Sequence, residues 1–119
     1  MELDVTQVKS VEPGRHTGIV MKVESRKVKD YDYTDITVMV DEDEVELRIS
    51  APTKLSVSAD STPKSKLATI LNKLGVELTG RVDVDSIVKK KIKFVTTEKV
   101  TDSGTFAEID VNSIALLTE

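Results

Sequence analysis

The chain has 119 residues, 39% of them hydrophobic, which is enough to bury one core without covalent staples, and a single domain over 1–119 accounts for its length. It contains no cysteine, which excludes disulfides, thiolate metal sites and a thiol nucleophile. A net charge of −4, with 32% of residues charged, does not advertise a polyanionic partner; because acid is concentrated at 41–44 (Asp-Glu-Asp-Glu) and base lies elsewhere, the local potential can still oppose the net sign.

Residues 1–12 carry Leu3, Val5, Val8 and Val11 in a loose pattern that fits an edge strand or a helical turn equally. The start, Met-Glu-Leu-Asp-Val, lacks the basic residues and apolar centre of a signal peptide, and the apolar runs are short, so a soluble cytoplasmic protein with no membrane contact is expected. Glu12-Pro13-Gly14 is a turn signal leading into a first strand over 18–28, where Ile19, Met21 and Val23 alternate with Lys22 and Glu24. Gly18 would let this strand bend sharply. A polar turn over 29–32 precedes a second strand over 33–40, with Ile36, Val38 and Val40 on one face. After the acidic turn, Val45, Leu47, Ile49 and Ala51 alternate with Glu46, Arg48 and Ser50 in a third strand ending at Pro52, and Leu55 and Val57 are expected to tuck under the chain.

The one convincing helix covers 62–75. Leu67, Ile70, Leu71 and Leu74 form an apolar stripe at i, i+3, i+4 and i+7, Thr62 is in position to cap, Pro63 suits the first turn and Gly75 suits the stop. Spaced apolar residues over 76–88 predict a packed connection with a short helical turn starting at Asp83 or Asp85. A fourth strand over 92–98 follows, then a hairpin turn over 101–104 and a fifth strand over 105–111 with Ala107, Ile109 and Val111 inward. Ile114, Leu116 and Leu117 close the chain.

Three antiparallel strands, a helix and a two-stranded hairpin follow the order of the OB-fold, a mainly β, five-stranded Greek-key barrel with one helix between strands three and four. Over about 14–117 the chain resembles the compact single-domain OB proteins of archaea and their viruses or of phages, several of which handle single-stranded DNA. The residues behind the resemblance are Pro13-Gly14 with Gly18-Ile19-Val20, Tyr31-Asp32-Tyr33, Leu74-Gly75 and Gly104-Thr105-Phe106. It implies an extended ligand crossing strands two and three, flanked by the loops at 26–33 and 98–106. Both loops carry base and an aromatic ring.

Single strands are held by cations along the phosphates and by rings on which bases stack. The four aromatic residues are Tyr31, Tyr33, Phe94 and Phe106. Strand phase sends Phe94 to the core and Phe106 and Tyr33 outward, together with Lys22 and Arg48. The candidate nucleic-acid-binding set is therefore Lys22, Arg26, Lys27, Lys29, Tyr31, Tyr33, Arg48, Lys93, Lys99 and Phe106, with DNA favoured over RNA and little sequence preference expected. The same residues admit blander roles: tyrosines at a strand end pack with a wet hydroxyl, and Lys89-Lys90-Lys91 with Lys93 reads equally as a solvated face that discourages edge pairing.

Catalysis is not expected. His16, the only histidine, reads as ordinary surface; the acidic run lacks the spaced ligands and glycine of a calcium loop; and no phosphate-cradling glycine loop or nucleophile elbow is present. No cofactor and no metal site are expected. The rival reading is a protein-interaction or assembly module, a homodimer or a subunit of a replication or virion complex. It rests on the acidic balance, the few aromatics, and Val20, Met39 and Val95, which strand phase leaves outside the core.

Overall fold

The computed structural model describes residues 2, 13–40, 45–102 and 104–117. The readings made for the N-terminal segment and the acidic turn lie outside these residues. The fold is mainly β: β1 (Gly14–Val28), β2 (Tyr31–Val40), β3 (Val45–Pro52), β4 (Lys91–Thr101), β5 (Gly104–Ile109) and the short β6 (Ala115–Leu116) form one six-stranded antiparallel sheet, with the helix α1 (Lys66–Lys73) between β3 and β4 in the chain. The strands run in the order β3-β2-β1-β4-β5, with β6 on β4. The expected five strands thus become six, because the tail turns through a 3-10 segment, Val111–Ser113, and pairs Leu116 with Ile92. Among the described residues no ladder joins β3 to β5, so hydrogen bonding does not close the sheet into a barrel. The two edges nevertheless approach, with Arg48 and Ser50 facing Glu108 across a shared cavity.

The core lies on one side of the sheet. Ile36, Val38 and Val40 of β2 and Ile49 and Ala51 of β3 are buried as their alternation predicts, in one cluster with Leu67, Ile70, Leu71 and Leu74 of the helical stripe and with Phe94. Ile87, in a 3-10 turn over Val84–Ile87 capped by Asp83, joins the same cluster, as do Ile92, Ile109 and Ile114. Among the described residues no helix is long and apolar enough to cross a membrane.

Four local expectations need correction. First, Val20 is fully buried while Met21 is 45% exposed. The register slips between Val20 and Lys22, so Met21 is an extra, bulged residue and the inward phase passes from Val20 to Val23. Second, β1 starts at Gly14, and its turn to β2 is only Lys29-Asp30, with Lys29 at φ 57°, so Tyr31 and Asp32 belong to β2. Third, Leu55 and Val57 are exposed rather than tucked under. Val57 instead bridges Pro63, which holds the chain extended there.

The fourth concerns the helix start. It begins at Lys66, capped by Ser65 in place of Thr62. The Lys64 N–H, which a Thr62 cap would bind, donates instead to the Ser56 carbonyl at 2.7 Å, whereas Ser65 Oγ accepts from the Ala68 N–H and donates to the Lys54 carbonyl at 2.7 Å. Gly75 ends the helix at φ +79° as expected. Ser65→Ala is expected to lower stability by about 1 kcal/mol in urea unfolding, while Thr62→Ala shifts it by a few tenths at most.

Candidate functional site

Opposed residues of an antiparallel ladder share a face, so the register decides which side chains meet. Across β1, β2 and β3 the outer face carries three successive rows: Arg26, Tyr33 and Pro52; Glu24, Asp35 and Ser50; Lys22, Thr37 and Arg48. Val28 and Tyr31 end the face beside the turn. Four candidates taken from separate parts of the sequence, Lys22, Arg26, Tyr33 and Arg48, are therefore gathered on one surface.

Their chemistry centres on a residue that the sequence reading passed over. Asp35 lies on the outer face of β2 yet is 4% exposed. Arg26 donates to it through two nitrogens, Nε to Oδ2 at 2.8 Å and Nη2 to Oδ1 at 3.3 Å. Ser50 Oγ donates to Oδ1 at 2.6 Å, and Arg48 Nη1 stands 3.8 Å from Oδ2. The hydrogen bond from Arg26 is the main reason the Asp35 carboxyl is held below its ordinary value; desolvation opposes it, and Ser50 and the charges of Arg26 and Arg48 assist. The same pair raises the Arg26 guanidinium, which is then charged at any working pH.

Arg26 also lies over the Tyr33 ring, 5.3 Å from its centroid. One face of Tyr33 is thus covered by a guanidinium, and Tyr33 orients Arg26 more than it offers a bare platform. The rings open to solvent are Tyr31, 68% exposed, and Phe106, 52% exposed as its strand phase predicted. Lys22 is engaged by Glu24 at 3.2 Å, an exposed pair that contributes little to stability. Lys29 is exposed at the β1–β2 turn, whereas Lys27, paired with Asp32, is exposed on the opposite face of the ladder and does not join this surface.

The β4–β5 hairpin completes the surface. Lys99 stands opposite Phe106 on one face of it. Lys99 also lines a cavity of about 270 Å³ with Arg48, Ser50, Lys66 and Glu108, at the seam where β3 and β5 approach. Lys66, another residue the sequence reading missed, donates from Nζ to the Ser50 carbonyl at 2.9 Å. It was hidden on the polar face of the helix, where nothing in a strand pattern points to the seam. Lys93 does not join this surface; it lines a different cavity, between β1 and β4.

His16 is not on the surface, as its sequence reading held, but 8% exposed with its ring centroid 6.2 Å from that of Phe94. Val20 is core, while Met39 and Val95 are half-buried, so of the apolar residues thought to face outward only these last two keep any exposure. Among the described residues no three His, Asp or Glu side chains come together as a metal-holding group. Neither a protein-family model nor a curated protein matches the chain.

Proposed function

We propose that this protein binds single-stranded nucleic acid, DNA in preference to RNA, across the outer face of β1, β2 and β3 and the β4–β5 hairpin. The observation that carries the reading is the cavity shared by Arg48 and Lys99, which joins the three-stranded face to a hairpin bearing the exposed Phe106. Cations from Lys29, Arg48 and Lys99 neutralise phosphates, and Tyr31 and Phe106 stack bases whatever their sequence. Arg26 presents a guanidinium already fixed by Asp35 and Tyr33. The reading is of a binding protein and not of an enzyme.

The proposed architecture is a partly open OB barrel with β6 as an addition. Supporting it are the strand order β3-β2-β1-β4-β5, the helix between β3 and β4, and the approach of the two free edges.

Phe106→Ala and Tyr31→Ala are each expected to weaken oligothymidine binding about tenfold with no change in melting temperature, since both rings are exposed. Binding unchanged in both variants would remove the stacking role. A second reading, self-assembly, is favoured by the exposure of Val100 (77%), Tyr31 and Phe106 on the hairpin arms. Light scattering separates the two: a monomer at high concentration that binds oligothymidine excludes it.

A further inference from the structure

The outer side of the β1–β4 ladder carries a second feature. Arg15 stands opposite Val95 and Thr17 opposite Lys93, so Arg15 and Lys93 are diagonal neighbours on one face, with backbones about 7–8 Å apart. The tail rises beside them and is tied down twice. The Val95 N–H donates to Ser113 Oγ at 2.8 Å, and the Leu117 N–H donates to the Lys91 carbonyl at 3.0 Å. Between the ladder and the tail lies a cavity of about 530 Å³, within the range of small-ligand sites.

Its lining is one-sided in charge. Arg15 and Lys93 stand at its rim, no lining residue is acidic, and among the described residues neither cation has a carboxylate partner. Half-buried Val95 and Leu117 give the walls an apolar part beside the polar Thr17 and Ser113, over a floor that includes the buried Phe94 and His16. Two neighbouring cations with no acid among the described lining residues favour an anion between them, and the volume exceeds what a bare phosphate fills.

We propose that this cavity binds a nucleotide phosphate. The Arg15 fork and the Lys93 ammonium hold the phosphate oxygens, and the base lies against Val95 and Leu117. The phosphate belongs either to a free mononucleotide or to the end of a strand, since β1 runs on from Thr17 to Lys22 and the face described above. Only the strand source rests on the proposed function.

The test is an amide NMR titration of the full chain with dTMP, thymidine, inorganic phosphate, and oligothymidine with and without a 5′-phosphate. Saturable shifts at Arg15, Thr17, Lys93 and Val95 are expected with dTMP or with the 5′-phosphorylated strand, and none with thymidine. Shifts from dTMP identify a free nucleotide; shifts from the phosphorylated strand alone identify its end. The double variant Arg15→Gln/Lys93→Gln is expected to weaken that binding at least about tenfold with an unchanged melting temperature, because both side chains are exposed. The proposal is overturned if neither dTMP nor the phosphorylated strand moves these amides, if inorganic phosphate binds as well as dTMP, or if the double variant binds like the parent. A 5′-phosphorylated oligothymidine that shifts only the β1–β3 face, with dTMP moving none of these amides, overturns this site alone; dTMP shifts here with no strand binding anywhere overturn the proposed function alone.

Discussion

The Gly18→Ala substitution is expected to lower stability by at least about 3 kcal/mol and the melting temperature by roughly 10–15 °C. A Cβ at this position would lie 2.5 Å from the Met39 carbonyl oxygen, 2.9 Å from Val38 Cγ1 and 3.2 Å from Phe94 Cε1. The first of these is backbone, so no rotamer change relieves it. Gly18 is also paired on both sides, with Val40 of β2 and Ile92 of β4, and the strand cannot swing away without parting a ladder. The glycine is therefore required by close approach and not, as its position suggested, by a bend; the bend comes from the bulge at Met21. Gly80→Ala is the control: φ is +59° there but nothing lies within 4 Å of the added Cβ, and a loss of about 1 kcal/mol is expected. Equal losses at the two positions in thermal unfolding would contradict the packing described.

Asp35→Asn is expected to cost about 2 kcal/mol at neutral pH. Breaking a fully buried ion pair from one side costs about 3–5 kcal/mol, but the Arg26 and Arg48 side chains are 43% and 64% exposed and regain water when the carboxylate is removed. The pH dependence follows from the direction of the shift. Asp35 is held below its ordinary value of 3.8, so its contribution is complete above that value and is lost as pH falls through the lower, folded-state value. Urea midpoints of parent and variant should differ by a constant amount from neutral pH down to about pH 5 and converge below about pH 4. A gap that persists undiminished at pH 2 would show that Asp35 does not stabilise the fold as a carboxylate.

Clean alternation made part of this molecule legible from sequence. Ile36, Val38 and Val40 on β2, Phe94 on β4, and the stripe from Leu67 to Leu74 have a single period each, and all are buried. Val20 was misread because one bulged residue inverts the phase, and no residue type announces a bulge at Met21. The helix start was misread because Thr62 and Ser65 are both capping residues, and the choice between them is made from outside the helix, by the Ser56 carbonyl on the Lys64 N–H and the Lys54 carbonyl on Ser65.

The site was half legible. Outward phase found Arg48, Lys22 and Phe106, but the covering of Tyr33 by Arg26 depends on a turn of only Lys29-Asp30, which sets Arg26 opposite Tyr33. Asp35 left one signal, an aspartate inside a strand of β-branched residues, where its low β propensity calls for partners. Lys66 left none.

The most direct test of the account is fluorescence anisotropy of a labelled oligothymidine and a matching duplex, titrated with the protein at low and moderate salt. The account predicts tighter binding to the single strand. With Lys29, Arg48 and Lys99 each meeting one phosphate, affinity should fall roughly twentyfold between about 50 and 200 mM salt. No binding at low salt, or equal binding to the duplex, would contradict it.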